Sequence, residues 1–300
     1  MLDKIYIPTM GRSDVQITYD NLPKKYQKKV LFVIPKSEWK LMIKLYGDNQ
    51  LLATPNKIKG IAATREFICK HAKKTRFSMI DDDVVFYRRN QKYYSDYNKK
   101  SNMSKSKRQL TEEDFDEMFE LFNTWMDEGY IHIGHKRANL PPNKKSYDDI
   151  CFFNSIHHID GKKLSNIIKD IDWTFCEVGE DANFMFEYLS RGFINRKSCE
   201  FSAHWDSFQD GGCAMYRDSK LHNEEHSKLQ QRWSRDLVRV RAEIIGQGTH
   251  GHKIGTIKEF TYKPKLMRKM WLQKHGIETD ELVNHPKKQF QPELDKRVKK

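Results

Sequence analysis

The sequence predicts an α/β protein with a mixed, mainly parallel sheet flanked by helices, followed by a basic helical C-terminal region. In the first third of the 300-residue chain, short apolar runs typical of strands alternate with segments of helical spacing. The runs end at prolines or at a cluster of acids, as strands do where they enter a loop. Strands and helices in alternation form parallel sheets with right-handed crossovers.

The first predicted elements place two polar segments at one edge of the sheet. Strands are expected at 4–8, 29–34, 50–54 and 77–80, and helices at 37–45 and 60–72. Ligands bind such sheets at the carboxyl ends of the strands. The loop Pro8-Thr9-Met10-Gly11-Arg12 and the run Asp81-Asp82-Asp83 each follow a strand, so we expect both at that edge.

The remaining elements are less regular. Thr111 and Asp114 predict a capping box that opens a helix to about 127. Further strands are expected at 130–134 and 150–156, with a loop over 135–149 between them, and further helices near 162–169 and at 180–189. The predicted organisation is a main domain over 1–228 with a basic, tyrosine-rich loop at 88–110, a basic helical extension over 229–285 and a charged tail over 286–300.

Charge and composition favour a polyanionic partner. The net charge is +13 at pH 7, and a protein this basic usually meets nucleic acid or, less often, an anionic membrane surface. No apolar run approaches the roughly 20 residues that cross a bilayer, and the N-terminus lacks the pattern of a signal peptide. The five cysteines are scattered and form no C-x-x-C pair. We therefore expect a cytoplasmic protein without a disulfide framework or a zinc site.

Three consecutive carboxylates, Asp81-Asp82-Asp83, are the most informative feature of the chain. They repel one another, and burial raises the cost of their charges. A hard divalent ion such as Mg²⁺ or Mn²⁺ would relieve that repulsion, since it prefers oxygen ligands. Alternation along an extended chain would place Asp81 and Asp83 on one side and Asp82 on the other. An acidic surface turn is the alternative interpretation.

Four separated elements, taken in order, resemble the GT-A nucleotide-sugar glycosyltransferases, especially the inverting family 2 type. The resemblance covers about residues 1–217 and makes 1–228 the GT-A catalytic domain, with a Rossmann-like sheet. Glu187 departs from the family pattern, which has an arginine there. The matching elements are Ile7-Pro8-Thr9 with Arg12, Gly60 to Arg65, Asp81-Asp82-Asp83, and Glu180-Asp181 followed by Phe184 and Gly192-Phe193.

The chain is more closely similar to the phage TET-associated DNA glycosyltransferases, relatives of the base J glucosyltransferases. The opening Tyr6 to Arg12, the triple acid and the segment Asp210 to Arg217 are typical of that group. The resemblance implies transfer of glucose, arabinose or a similar sugar from a UDP-sugar to the hydroxymethyl group of 5-hydroxymethylcytosine or 5-hydroxymethyluracil. It also implies that the acceptor is phage DNA, which the sugar protects from nucleases in the host cytoplasm.

The resemblance also implies roles for individual residues. Asp181 would act as the base that takes the proton of the acceptor alcohol, with Glu180 orienting its neighbours, and one displacement would invert the anomeric configuration. Mn²⁺ or Mg²⁺ would be held by Asp81, Asp83 and His204. The residues expected to contact the donor are Pro8, Thr9, Gly11, Arg12, Arg65, Asp81 and Asp82.

Basic and aromatic segments are the candidates for DNA contact. They offer phosphate partners and stacking surfaces, and a target base in a duplex would have to flip out to reach Asp181. A solvated lysine-rich loop is the alternative. The candidate segments and stacking residues are Tyr93, Tyr94 and Tyr97 with their lysines, His135-Lys136-Arg137, Lys144-Lys145, and Tyr147, Trp205 or Phe208.

Other functions remain open on the sequence alone. A two-metal nuclease or nucleotidyltransferase would also use clustered acids and basic loops. A DNA-binding protein without catalysis would use the basic segments and keep the acids for structure. A glycosyltransferase could instead act on a glycan or a protein. The sequence does not select the sugar, the modified base or the oligomeric state.

Overall fold

The computed structural model describes residues 2–90, 105–143, 145–205, 218–246 and 255–277. Its strands are β1 (Lys4–Pro8), β2 (Val30–Pro35), β3 (Leu51–Thr54), β4 (Arg76–Ile80), β5 (Val84–Arg89), β6 (Lys107–Gln109), β7 (His132–Arg137), β8 (Tyr147–Asp149), β9 (Ile156–Asp160), β10 (Asn195–Trp205), β11 (Val238–Gly246) and β12 (Gly255–Tyr262). Its helices are α1 (Ile17–Asn21), α2 (Lys24–Gln27), α3 (Trp39–Tyr46), α4 (Gly60–His71), α5 (Glu112–Glu128), α6 (Gly161–Leu164), α7 (Glu180–Leu189), α8 (Ser219–Trp233) and α9 (Pro264–Lys274).

Ten of these strands form one sheet in the order β3-β2-β1-β4-β9-β7-β10-β5-β6, with β8 paired to β10. Strands β1 to β4 are parallel, and β7 and β10 are parallel to each other. Strands β9, β5 and β8 run the other way. Strand β6 is antiparallel to β5, so seven of the ten strands of this sheet share one direction. This confirms the mixed, mainly parallel sheet with flanking helices, and the architecture is GT-A-like.

The parallel half of the sheet is buried on both faces. In β1, Ile5 and Ile7 on one face and Tyr6 on the other are buried, and Phe32 in β2 and Phe77 in β4 are buried as well. Side chains alternate across a strand, so a continuous apolar run is the pattern expected where layers cover both faces. The core thus holds the carboxyl ends of β1 and β4 side by side, because Ile5 and Tyr6 pair with Ser78 and Met79.

The predicted capping box opens α5. The Oγ1 of Thr111 accepts a hydrogen bond from the backbone N–H of Asp114 at 3.3 Å, and Asp114 accepts one from the backbone N–H of Thr111 at 2.8 Å. Asp114 also binds the guanidinium of Arg88 at 2.9 Å. The cap therefore fastens the helix start to β5 as well as closing its first turn.

Two strand predictions were wrong in their placement. The strand expected at 150–156 is β9 at Ile156–Asp160, and Ile150 and Ser155 have left-handed backbones with φ of 52° and 66°. A left-handed residue interrupts an extended chain, so the strand starts only after Ser155. The loop expected at 135–149 also contains the end of β7 and the short strand β8.

The C-terminal region contains an antiparallel hairpin, β11 and β12, between the helices α8 and α9. The helical prediction from residue 229 onward is therefore correct for α8 and α9 and wrong for 238–246 and 255–262. Val238 is buried and Val240 is 43% exposed, although both would lie on one face of a regular strand, and the pairing with β12 shifts register between Val240 and Ala242. The predicted boundary after 228 falls inside α8. Residues 286–300 and most of the basic loop 88–110 lie outside the described residues, and β5 and β6 occupy the ends of that loop.

Within the described ranges, every helix is too short or too polar to cross a bilayer.

Replacing Thr111 by Ala should lower the free energy of unfolding by about 1 kcal/mol, because it removes the side-chain half of the capping box. Thermal or urea unfolding followed by circular dichroism measures the change. Thr124→Ala, at an exposed position inside the same helix, is the matched control and should be neutral or slightly stabilising. Equal destabilisation by both substitutions would contradict the capping role.

Candidate active site

The loop after β1 and the acids after β4 meet in one polar cluster, as the sequence predicted. The Oγ1 of Thr9 donates to Asp82 Oδ2 at 2.6 Å, and Arg12 Nη1 donates to Asp82 Oδ1 at 2.7 Å. Arg12 Nη1 also lies 3.6 Å from Asp83 Oδ2. Gln16 anchors the loop, because its Nε2 donates to Thr9 Oγ1 at 3.0 Å and to the Arg12 carbonyl at 2.7 Å.

Pro8 and Gly11 shape this loop. Pro8 is the last residue of β1. Gly11 has a φ of 70°, a left-handed conformation that favours glycine, and its N–H donates to Glu38 Oε1 at 2.9 Å. The turn at Gly11 brings Arg12 back over the acids. The structure thus gathers Pro8, Thr9, Gly11, Arg12 and Asp82, although no ligand tests the predicted donor contacts.

Arg65 links the acids after β4 to the start of α7. Its Nη2 lies 3.0 Å from Asp81 Oδ1, and its Nη1 donates to Glu180 Oε1 at 2.8 Å and to Asp181 Oδ1. The Arg65 side chain is only 3% exposed. Glu180 and Asp181 form the first turn of α7, where negative charge is favoured by the helix dipole. One guanidinium therefore joins residues predicted to bind the sugar donor to residues predicted to act on the sugar acceptor.

Asp82 and Asp83 form a turn between β4 and β5. Alternation along an extended chain therefore does not apply, and the prediction that Asp81 and Asp83 share one side opposite Asp82 was wrong. Instead Arg12 contacts both Asp82 and Asp83, while Asp81 turns to Arg65. The turn is held by Thr18, whose Oγ1 donates to the Asp81 carbonyl at 2.5 Å and accepts from the Val84 N–H at 2.8 Å.

Negative charge exceeds positive charge in this site. Burial, followed by the charges of Asp81 and Asp82, raises the pKa of Asp83 from 3.8 to about 7, and Arg12 opposes the shift only in part. Burial also raises the pKa of Asp82, although hydrogen bonds from Thr9 and Arg12 act against it. The acids are thus under-neutralised by the two arginines.

His204 lies near the end of β10, opposite Val85 in the antiparallel pairing with β5. Val85 is two positions after Asp83, so His204 belongs to the same edge of the sheet. In the described part of the chain, no group of three or more His, Cys, Asp or Glu side chains is arranged to hold a metal ion. The structure therefore does not assemble Asp81, Asp83 and His204 into a metal centre, and the metal assignment stays a prediction.

The structure places the residues that we expected to contact DNA in different environments. His135 is buried with its Nε2 2.7 Å from His158 Nε2, so its predicted contact with DNA is not possible in this structure. Lys136 Nζ donates to the Pro141 carbonyl at 2.5 Å. The Arg137 guanidinium stacks 4.5 Å over the Trp205 ring, and burial lowers its pKa while nearby Asp83 opposes the shift.

Tyr147 is 39% exposed and its ring lies 3.9 Å from the Arg196 guanidinium. Several other predictions lie outside the described residues, namely Tyr93, Tyr94, Tyr97, Lys144, Phe208 and the segment 210–217.

Sequence reasoning missed His157, which reaches the site from β9. Its Nε2 lies 3.1 Å from Asp181 Oδ1, and its Nδ1 lies 2.9 Å from His132 Nε2. His157 and His158 stand between the buried residues Ile156 and Ile159. That pair of histidines inside an apolar run was the available signal, since buried imidazoles need polar partners.

Comparison with known proteins identifies the family of this chain. The model of the TET-associated glycosyltransferase family matches residues 3–195, a range that includes the four sequence motifs but not His204. Two curated relatives are the β-glucosyl-HMC-α-glucosyl-transferases of Enterobacteria phages T6 and T2. Each is 23% identical over 249 residues, which cover 79% of this chain and 86% of the relative. Since the family match covers more than half of the chain, this protein belongs to the TET-associated glycosyltransferases and is a glycosyltransferase.

Proposed function

We propose that this glycosyltransferase moves a sugar from a UDP-sugar to a hydroxymethylpyrimidine in phage DNA. The relatives in phages T6 and T2 are named for transfer to glucosylated HMC, hydroxymethylcytosine. The net charge of +13 suits a polyanionic acceptor such as DNA. A hydroxymethylated base that already carries one sugar is therefore included among the acceptors.

The observation that supports this proposal most strongly is the sharing of Arg65 between Asp81 and Asp181. Asp81 follows a parallel strand at the edge where nucleotides bind in such sheets. Asp181 opens a helix on the other side of the guanidinium. A donor beside Asp81 and an acceptor beside Asp181 would be held within reach of each other, as one transfer step requires.

On the donor side, the loop after β1 supplies the expected contacts. Pro8, Thr9 and Gly11 would line the nucleotide, and Arg12 and Arg65 would offer forked donors to its phosphates. Both arginines are already oriented by Asp82 and by Asp81. Pre-oriented cations stabilise charge that develops on a leaving diphosphate at little cost in reorganisation.

The acids fit a divalent cation by their chemistry. Five carboxylates, of Asp81, Asp82, Asp83, Glu180 and Asp181, share the two guanidiniums of Arg12 and Arg65. Asp81 and Asp83 offer the hard oxygen ligands that Mg²⁺ and Mn²⁺ prefer, with His204 as the proposed third ligand. When bound, the cation would neutralise charge on the diphosphate of the donor.

On the acceptor side, Asp181 is the proposed general base. The acceptor oxygen would attack the anomeric carbon, the bond from that carbon to the diphosphate would break, and the alcohol proton would pass to Asp181. Glu180 shares Arg65 Nη1 with Asp181 and would keep that guanidinium in place. A target base in a duplex would have to leave the stack to bring its hydroxymethyl group to the carboxylate.

Stereochemistry separates two versions of this reaction. A single displacement on an α-linked donor gives a β-linked product, which is the inverting mechanism proposed here. The names of the relatives specify an α-glucosyl product and favour retention instead. The anomeric coupling in the proton NMR spectrum of the product distinguishes the two outcomes.

Replacing Asp181 by Asn should reduce turnover by about 10²–10⁴-fold, because the amide cannot accept the alcohol proton. The assay combines DNA duplexes that carry hydroxymethylcytosine, its β-glucosyl derivative or hydroxymethyluracil with a panel of UDP-sugars and Mn²⁺, and measures product by mass spectrometry. Binding of UDP-sugar, measured by calorimetry, should change little.

Asp48→Asn makes the same chemical change at an exposed position and should leave turnover unaltered. Full activity of Asp181→Asn would exclude this base. Transfer only to glycans or proteins, or nicking of plasmid DNA without transfer, would contradict the proposed acceptor or the proposed reaction.

The metal-free protein should lose stability as the pH rises from about 4 to about 7. The pKa of Asp83 is higher in the folded chain than its ordinary 3.8, so the folded state binds more protons than the unfolded state in that window. Above pH 7 the penalty would be about 4 kcal/mol at most, at 1.36 kcal/mol per pKa unit.

Asp83→Asn should flatten this slope and raise the melting temperature at pH 8, whereas Asp48→Asn should keep the slope of the wild type. Added Mn²⁺ should stabilise the wild type at pH 8 more than it stabilises Asp83→Asn. Identical pH profiles for the wild type and Asp83→Asn would show that Asp83 does not hold the surplus charge.

A further inference from the structure

A buried chain of hydrogen bonds runs from Asn195, the first residue of β10, to His157, which lies beside Asp181. Asn195 fixes which groups of this chain donate and which accept. The Asn195 Oδ1 accepts from the Cys151 N–H at 3.0 Å, and its Nδ2 donates to the Cys151 carbonyl at 2.8 Å. This double pairing determines which end of the amide is nitrogen. The second hydrogen of Nδ2 then donates to the Tyr188 hydroxyl oxygen at 2.6 Å.

For each of the next groups, only one assignment of hydrogen-bond donor and acceptor is possible. Because the Tyr188 oxygen accepts from Asn195, its own proton donates to His132 Nδ1 at 3.1 Å. Burial lowers the pKa of His132 well below its ordinary value, so the ring is neutral. With Nδ1 accepting, the proton of His132 lies on Nε2 and donates to His157 Nδ1 at 2.9 Å.

The chain therefore places the proton of His157 on Nε2, the nitrogen that faces Asp181. That nitrogen lies 3.1 Å from Asp181 Oδ1, the oxygen that also accepts from Arg65, but its N–H is not aligned with that oxygen and has no hydrogen-bond partner in this structure. His157 is 1% exposed and Tyr188 is fully buried, so water does not compete for these groups. Asp181 Oδ1 thus accepts from the charged guanidinium of Arg65 and has an unsatisfied neutral donor, His157 Nε2–H, beside it.

We propose that His157 is a positioning residue whose Nε2–H, without a partner in this structure, donates to Asp181 when the carboxylate turns toward the acceptor and so fixes it for transfer, while Tyr188 and His132 set the tautomer of His157. This inference rests on the proposed role of Asp181 as the base. A neutral donor orients the carboxylate without adding a second full positive charge, which would weaken the base further. Partners that orient a reacting group commonly contribute 10–100-fold in activity.

Substitutions of His157 should separate orientation from packing. His157→Leu removes the donor and should lower kcat by about 10–100-fold with KM for UDP-sugar and DNA changed by less than about threefold. His157→Gln can still present an N–H near the position of Nε2 and should recover most of the lost kcat. In an Asp181→Asn background, His157→Leu should have no further effect, because both residues serve one step.

His158 provides the matched control. It is the next residue of β9, equally buried, and it pairs on the other face of the strand with His135 at 2.7 Å and Ser78 at 2.6 Å. His158→Leu should destabilise the fold comparably while the folded enzyme keeps its kcat. Equal loss of kcat in His157→Leu and His158→Leu, or no rescue by His157→Gln, would overturn the proposal in favour of a purely structural role.

A measurement on the resting enzyme tests the chain without any turnover. Proton–nitrogen NMR on isotopically labelled histidine should show His157 protonated at Nε2 and unprotonated at Nδ1, and Tyr188→Phe should remove that bias. A wild-type His157 protonated at Nδ1 would overturn the inference. Full activity of Asp181→Asn would instead reject the proposed base, and loss of activity in Asp181→Asn with normal kcat in His157→Leu would reject only the role of His157.

Discussion

The architecture of the site depends on one buried cation, the guanidinium of Arg65. It binds Asp81 after β4 and Glu180 and Asp181 at the start of α7, segments about a hundred residues apart in the chain. A buried charge is tolerated only when it is paired and hydrogen-bonded, and removing one partner of such a pair typically costs about 3–5 kcal/mol. Each of the three acids therefore stabilises the position of the others through Arg65. The sheet brings the segments near one another, and the guanidinium fixes their final distances.

The site keeps more negative charge than folding alone would favour. Thr9 and Arg12 compensate Asp82 well, but Asp83 is buried and repelled by its neighbours, and Arg12 offsets this only in part. Local strain of this kind concentrates at functional sites, where the rest of the fold supports it. In the proposed reaction, a nucleotide diphosphate would add yet more negative charge, and the proposed cation would offset it.

The two histidines of β9 show how a strand with both faces buried can serve two purposes. His158 turns to His135 and Ser78 and completes a polar cluster inside the core. His157 turns the other way and joins His132 to the active-site acids. Buried polar networks are stable only when every member has a partner, and satisfied networks make a core rigid. The network behind Asp181 lies in the buried core, and His157 Nε2, beside Asp181, is its end without a hydrogen-bond partner in this structure.

Sequence alone determined the local features, because strands, helix caps and acid clusters depend on neighbours a few residues apart. The strands β1, β2 and β4, the capping box of Thr111 and Asp114, and the placement of Glu180 and Asp181 in the first turn of α7 were all predictable. Tertiary structure alone decided which arginine binds which acid, since those partners lie 16 to 116 residues apart. It also decided that Asp82 and Asp83 form a turn, so that their side chains do not alternate as expected. It placed His157 at the site as well, although the polar histidines of β9 made that strand hard to recognise as buried. Such contacts depend on how the whole sheet is assembled, and local periodicity carries no information about that assembly.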